Sequence, residues 1–325
     1  MAVRKRPIWI VLLNWKGADD TISCIDSLLQ MNETGWKLAV CDNASPDDSL
    51  PRLRTALQER FGEDWAEIPE DGVDQSPLPD ARVVLIRNAG NHGYAGGNNV
   101  GLRLALRDSG MSHCWVLNND TEVAADALSQ VLAHAATHPD QGIIGSTLAY
   151  HDRPGIMQAA GGAQYNRWTG MVRLIGHERP VAEAAMFAGT RLDFVVGAAM
   201  LIRRAWLEQV GLMDASYFLY LEEIDYCRKG IGRFSLGFAP ASIVFHKEGG
   251  STGGKRAAIS ELADFYNIRN RLRVTWRHFP YAMPTVMAGL FITIANRIRR
   301  KQWDRVGMVL RIMVSFNRID YKDIR

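Results

Sequence analysis

Cysteine is scarce. Only Cys24, Cys41, Cys114 and Cys227 occur in 325 residues, far apart and with neither a C-x-x-C pair nor zinc-like Cys/His spacing. A disulfide framework and a zinc site are thereby excluded, and the thiols read as buried and reduced. An export signal is lacking as well. Arg4, Lys5 and Arg6 imitate its basic start, but Pro7 to Leu13 is too short for its apolar core and runs straight into Asn14 and Lys16. The chemistry is therefore expected in the cytoplasm. No G-x-G-x-x-G or Walker pattern occurs, which removes support from dehydrogenase and P-loop readings. No internal repeat is evident. A composition of 47% hydrophobic and 22% charged residues, with 12 Pro and 29 Gly, excludes disorder, collagen and coiled coil.

The net charge of +3 conceals an asymmetry. Residues 1–255 hold 24 Lys and Arg against 30 Asp and Glu, or −6, and the last 70 hold 14 against 5, or +9. An acidic globular part is followed by a basic tail, which points to an anionic partner.

Short apolar runs at Ile8–Leu13, Leu38–Cys41, Val83–Ile86 and Cys114–Leu117 alternate with helical patterns such as Thr21–Met31 and Asn98–Arg107. That predicts a parallel sheet with helices on its faces, whose ligands sit beyond the carboxyl ends of the strands. Residues 62–80 carry seven acids and read as an exposed excursion without function. Residues 151–192 read as a hairpin or flap. Further strands are expected at Asp193–Ile202, Ser235–Phe238 and Ile243–His246, a short helix at Arg204–Val210, and helices from about Ser260 onward.

Five segments carry candidate chemistry, and on its own each admits a structural explanation. Asp42, with Asn43, ends a strand and can accept from the N–H of a pyrimidine base, while Ser45 and Asp47 are good helix caps. The glycine-rich run Asn88–Asn99, with Gly96, Gly97 and Asn98, lets backbone approach a ligand at a helix start. Asn118-Asn119-Asp120-Thr121 offers either a hard-cation site or a helix cap. Glu222, Glu223 and Asp225, among apolar neighbours, either begin a helix or supply a general base. His246, followed by a Gly/Ser/Thr loop at 249–254, is either structural or part of a metal or phosphate site.

Taken together, the order and spacing of these segments resemble family 2 glycosyltransferases of the GT-A fold, bacterial rhamnosyltransferase-like members above all. The resemblance runs from residue 8 to about 275 and rests on several elements. They are Asn14-Trp15, Asp42-Asn43-x-Ser45, Asn91-x-Gly93-Tyr94-Ala95-Gly96-Gly97-Asn98-Asn99, Asn118-Asn119-Asp120, Phe194–Ala198, Glu222-Glu223-x-Asp225, His246 and Arg269-Asn270. It implies a mostly parallel sheet flanked by helices, with a catalytic domain at 1–258 and a C-terminal helical region at 259–325. Within that domain, residues 1–120 would form a Rossmann-like nucleotide-sugar half and 121–258 an acceptor half.

The resemblance also implies roles. Asp42 would hold the base and Asn14 lie against the nucleoside; Asn43, the Gly96-Gly97-Asn98 turn, Asn118 and Asn119 would line the nucleotide sugar. Asp120 and His246 would bind a divalent cation, Mg or Mn, on the diphosphate. Glu223 takes the place of the catalytic carboxylate, with Glu222 and Asp225 beside it. The family usually has a carboxylate where Asn118 stands, and Asp rather than Glu as base.

The implied activity is inverting transfer of a sugar, with rhamnose as one candidate, from a dTDP- or UDP-sugar to a glycan or lipid-linked acceptor in cell-surface polysaccharide synthesis. The competing readings are a sugar nucleotidyltransferase and a non-catalytic nucleotide- or sugar-binding scaffold. In the tail, nine basic residues between Arg269 and Arg305 bracket the uncharged stretch Phe279–Asn296. The preferred reading is a peripheral anchor on the anionic inner face of the cell membrane, against a core-packing helix or a span. No nucleic-acid module appears, and a homodimer through the tail is left open.

Overall fold

The computed structural model describes residues 7–75, 77–247 and 260–323. The first half runs β1 (Ile8–Asn14), α1 (Ala18–Leu29), β2 (Trp36–Asp42), α2 (Ser49–Phe61), β3 (Trp65–Pro69), β4 (Val83–Arg87), α3 (Gly93–Arg107) and β5 (His113–Asn118). Next come β6 (Thr121–Val123), α4 (Ala127–Thr137), β7 (Gln141–Tyr150), β8 (Met157–Ala160), β9 (Gly162–Asn166), β10 (Met171–Leu174), β11 (Phe194–Val195) and β12 (Ala199–Arg203). The chain finishes with α5 (Arg204–Gln209), α6 (Glu222–Lys229), β13 (Ser235–His246), α7 (Glu261–His278), α8 (Met283–Arg299) and α9 (Trp303–Ser315).

Among the described residues ten strands form one sheet, ordered β3-β4-β2-β1-β5-β12-β7-β13-β6, with β8 paired to β7. The run from β3 to β5 is parallel, β12 is antiparallel between β5 and β7, and β13 is parallel to β7. Alternation along the strands divides the core. Trp9, Val11, Ala39, Cys41, Val84 and Ile86 face α3 on one side, and Ile10, Leu12, Leu38, Val40, Val83 and Leu85 face α1, α2 and α4 on the other. A strand covered on both faces needs this continuous apolar run. A third cluster joins α7, α8 and α9 through Phe265, Leu272, Leu290, Ile294, Val309 and Ile312, and Phe218, Leu219 and Tyr220 pack against it.

Most of the expected elements are present, with four corrections. Residues 65–69 form an edge strand, β3, and Glu70 beyond it binds His92 Nε2 at 2.7 Å, so the excursion holds the glycine-rich loop. The expected strand at 193–202 is broken at 196–198, where the chain leaves the small sheet β10-β9-β11 for the main one. The two late strands are one, β13, interrupted in its pairing between Ala239 and Ile243 around Pro240, which has no N–H to donate. The uncharged stretch 279–296 is broken too, because Pro280 and Pro284 restart the helix. Among the described residues no helix is long and apolar enough to cross a membrane.

The basic tail is also less free than its charge suggests. Arg269 and Arg273 bind the Ser216 carbonyl, Arg277 pairs with Asp214 and Asp225, and Arg297 and Arg305 pair with Asp264. Arg299, Arg300 and Lys301 remain exposed at the end of α8. All four cysteines are free and buried, and burial pushes the thiols of Cys24, Cys41 and Cys227 up to about 12.

Candidate active site

The carboxyl ends of the parallel strands are stitched together by side chains. Asp42, at the tip of β2, accepts from Asn14 Nδ2 at 2.8 Å through one oxygen and from the Ser45 N–H at 3.1 Å through the other. Asn14 Oδ1 in turn accepts from Thr21 Oγ1 at 2.8 Å, and Thr21 Oγ1 accepts from Asn119 Nδ2 at 3.1 Å. One buried chain of contacts thus runs from β2 across β1 to the end of β5. Ser45 is not a helix cap: its hydroxyl serves Asn14 and the Lys16 N–H, and α2 starts after Asp48 without a side-chain cap.

Asn43 organises the next loop. Its oxygen accepts from Asn88 Nδ2 and the His92 N–H, each at 3.1 Å, and its amide nitrogen donates to Asn91 Oδ1 and the Gly93 carbonyl. The glycines of α3 serve packing more than ligand approach. A Cβ on Gly97 would lie 2.4 Å from a Leu13 methyl, so this glycine lets α3 press onto β1. Gly93 has φ +67° and sits against the Phe218 carbonyl, where a Cβ would collide with it. Asn98 donates to the Tyr94 carbonyl at 2.9 Å, while its Oδ1 is buried without a partner among the described residues.

Asp120 lies in the turn between β5 and β6 and begins no helix, so the capping explanation fails there. Antiparallel pairing of β13 with β6 brings His246 opposite Thr121 and places its Nε2 3.2 Å from Asp120 Oδ1. On its other side His246 Nδ1 meets Gln158 Oε1 at 2.7 Å. An amide oxygen can only accept, so Nδ1 carries the proton and Nε2 faces Asp120. Sequence gave no signal for Gln158. The loop 249–254 lies outside the described residues.

A divalent cation fits this pair. Two donors at about 2.1 Å and at right angles on one ion are about 3.0 Å apart, close to the observed separation. The Gln158 oxygen behind the imidazole accepts its other N–H, the role that a carboxylate or backbone carbonyl usually plays behind a metal-binding histidine. Among the described residues no third His, Cys, Asp or Glu joins them, so the remaining positions would fall to oxygens of other kinds, as hard cations accept.

The acidic segment does begin a helix: Glu222, Glu223 and Asp225 occupy the first turn of α6. Their environments differ. Burial, then the neighbouring Glu223 charge, pushes Glu222 well above the usual carboxylate range. Burial also raises Glu223, but backbone N–H groups of Glu223 itself, Gly197 and Leu221 favour its charged form. Each glutamate keeps one buried oxygen without a partner among the described residues. Asp225 turns the other way. It is 0% exposed and holds His278 Nε2 at 2.8 Å, Lys229 Nζ at 3.1 Å and Arg277 Nη1 at 3.2 Å. Burial works against its charge, yet the hydrogen bond from His278 and the charges of Lys229 and Arg277 hold it below its ordinary value.

Tyr94, on α3, connects the two groups of acids. Its hydroxyl donates to the Gly197 carbonyl at 2.6 Å, and burial followed by the charges of Glu223, Glu222 and Asp120 raises its pKa well above the usual phenol value. The phenol therefore stays neutral within electrostatic reach of both the glutamate pair and Asp120. The sequence contains Tyr94 in the glycine-rich segment but does not single it out as a bridge.

Residues 10–211 match the family described as Glycosyl transferase family 2. Over 160 residues the chain is 28% identical to the low-salt glycan biosynthesis hexosyltransferase Agl10 of Haloferax volcanii, a match covering 45% of this chain and 45% of that one. The chain thus spans under half the length of this curated relative. Among solved structures, GalNAc-T7 with UDP, GalNAc and Mn2+ superposes with a TM-score of 0.61 at 15% identity, covering 85% of this chain and 49% of that one. The mannosyltransferase PcManGT of Pyrobaculum calidifontis, with GDP-Man and Mn2+, gives 0.54 at 12% identity over 94% and 86% of the respective chains. S. aureus TarS 1-349 gives 0.52 at 10% identity over 94% and 81%. These likenesses establish the expected GT-A fold, a central, mostly parallel sheet flanked by helices.

Proposed function

We propose that this chain, which belongs to glycosyl transferase family 2, moves a hexose from a pyrimidine nucleoside diphosphate sugar to a hydroxyl of a glycan or lipid-linked glycan, with inversion and with Glu223 as the base. The observation that carries this reading is the placement of two unlike acid groups around one residue, Tyr94. The Asp120–His246 pair can take a cation, and the Glu223 carboxyl is buried and incompletely paired, its pKa raised by burial against the pull of backbone N–H groups, which makes it a better proton acceptor. A single displacement needs both: charge neutralisation on the leaving side and proton removal on the attacking side.

In this reading Asp42 receives the base. Each of its oxygens accepts one hydrogen bond within the chain, and a carboxylate has further lone pairs for a base N–H. Asn14, Asn43, Gly96, Gly97, Asn98, Asn118 and Asn119 shape the nucleotide-sugar cleft. Asp120 and His246 would hold the divalent cation, which when bound offsets the charge of the departing nucleoside diphosphate. Burial raises both carboxyls, and the Glu223 charge raises Glu222 further, so of the two Glu223 is the readier to lose its proton and serve as the base. Asp225 is given the work of fastening α6 to α7 instead of a proton transfer. The first donor to test is dTDP-rhamnose, followed by UDP-sugars.

The acceptor is met at an anionic membrane surface. Phe291 and Ile292 of α8, and Trp303, Leu310 and Val314 of α9, are large apolar side chains turned outward, with Val314 89% exposed. Arg299 ends α8, and Arg300 and Lys301 follow it before α9 begins. Apolar side chains next to a short basic run suit a helix pair lying at a lipid headgroup boundary.

The test is nucleotide-sugar turnover with Mn2+. Glu223→Gln is expected to lower kcat on the order of 10²-fold or more, the usual worth of a positioned base. Turnover equal to the parent in folded Glu223→Gln and Asp120→Ala proteins would overturn the reading.

A further inference from the structure

The segment leading into α6 has a backbone that ordinary residues avoid. Phe218, Tyr220 and Leu221 have φ of 64°, 67° and 66°, and none is glycine. In this region the Cβ crowds the neighbouring carbonyl, so such a segment persists only where its surroundings over-determine it. Helix α7 does so here. The two hydrogens of Asn270 Nδ2 are shared among three carbonyls, those of Tyr217 at 2.9 Å, Leu219 at 2.8 Å and Tyr220 at 2.9 Å. Arg269 and Arg273, on the same face of α7, hold the Ser216 carbonyl at 2.7 and 2.6 Å. From the opposite side the Tyr94 N–H donates to the Phe218 carbonyl at 2.6 Å. Asn270 is 0% exposed, so water does not compete for these carbonyls.

One peptide in this segment leads straight into α6. Its carbonyl, that of Tyr220, is held by Asn270, and its N–H belongs to Leu221, the residue directly before the first turn of α6 in which Glu223 stands. A trans peptide is planar, with its C=O and N–H pointing oppositely, so fixing one end aims the other. We propose that Asn270 is a positioning residue for Glu223: by gripping the Tyr220 carbonyl it fixes the Tyr220–Leu221 peptide, and with it the first turn of α6 that carries the carboxylate taking the acceptor proton. The inference rests on the role given to Glu223 above.

The experiment compares the parent with Asn270→Ala, Asn270→Asp, Glu223→Gln and the double variant Glu223→Gln/Asn270→Ala. Each is checked for folding by thermal melting, and release of nucleoside diphosphate from dTDP-rhamnose and UDP-GlcNAc is followed from about pH 5 to about pH 9. Both single Asn270 variants are expected to lose kcat on the order of 10²-fold with donor KM within about twofold, the mark of a misplaced group rather than lost binding. The acid limb of kcat should move to higher pH, because a carboxylate that loses an N–H donor binds its proton more tightly. Asn270→Asp keeps the volume but turns an acceptor toward three carbonyls, so it removes the grip without opening a cavity, and the raised acid limb and unchanged KM are what a role in packing alone does not produce. In the Glu223→Gln background, Asn270→Ala should cost less than about threefold.

Folded Asn270→Ala and Asn270→Asp proteins within about threefold of the parent, with an unmoved acid limb, would overturn the inference, as would equal losses in both backgrounds. Asn270→Ser, which retains a short donor, replaces Asn270→Ala if the latter melts below the assay temperature. Full activity of Glu223→Gln overturns the role of Glu223 and this inference with it, and is distinguishable because Asn270 is then intact.

Discussion

The hydroxyl of Tyr94 donates at 2.6 Å to the carbonyl of Gly197, and a Cβ on Gly197 would lie 2.8 Å from that same hydroxyl. The contact therefore requires glycine on one side and a phenol on the other. It joins α3 of the first half to the segment whose N–H faces Glu223. Gly197→Ala is expected to displace Tyr94 and lower kcat about 10-fold or more, while Tyr94→Phe keeps the ring but strands a carbonyl at a cost of about 1–2 kcal/mol. Turnover and thermal melting of the two variants check this.

Glu222 gives a test in stability. Its folded-state pKa lies well above the unfolded value, so the protonated acid suits the fold and stability is lost as pH rises above the unfolded pKa. Glu222→Gln should therefore raise Tm at pH 8 by roughly 2 °C or more, with the gain shrinking toward pH 4. Melting curves across that range measure it.

Asp225 should behave oppositely. Its folded-state pKa is depressed, so its contribution is present above the unfolded pKa and lost as pH falls through the folded one. Asp225→Asn is expected to cost about 2 kcal/mol at neutral pH, below the range for a fully buried pair because Arg277 and Lys229 are partly exposed. Denaturant unfolding reads this cost. A proton-transfer role would instead leave stability nearly unchanged and abolish turnover.

Gln158 tests the cation site from behind. Gln158→Ala removes the partner that fixes the His246 ring and should raise the Mn2+ concentration for half-maximal turnover about 10- to 100-fold, with kcat recovering at saturation. A metal titration of activity, with chelation by EDTA as the zero point, measures the shift.

The membrane reading predicts salt-dependent binding. Sedimentation with vesicles containing phosphatidylglycerol should be lost with Phe291→Glu/Ile292→Glu, and weakened by Arg299→Ala/Arg300→Ala or by salt at about 1 M, where screening acts over about 3 Å. Equal sedimentation with purely zwitterionic vesicles would count against the basic run.

Much of the sheet can be read from sequence because a strand buried on both faces, such as β1, must be apolar throughout, and its end is marked where Asn14 interrupts the run. Asp42, Asn118 and Asp120 are found in the same way, as the polar residues after such runs. The acids of α6 are only half legible. At 3.6 residues per turn, Glu223 and Asp225 lie about 200° apart around a helix, so they cannot face the same cleft, yet sequence does not say which side is the cleft.

What the sequence by itself determined is the alternation of strands and helices and the line of polar residues at the strand ends, since both follow from local periodicity and burial. Tertiary structure decided which polar groups meet. Gln158 reaches His246 across 88 residues and Asn270 reaches Tyr220 across 50. Arg269, Arg273 and Arg277, which in sequence belong to a basic tail, are bound to the segment at 214–225. Charge and spacing are properties of the chain, but whether a charge is free or paired depends on a neighbour that only folding supplies.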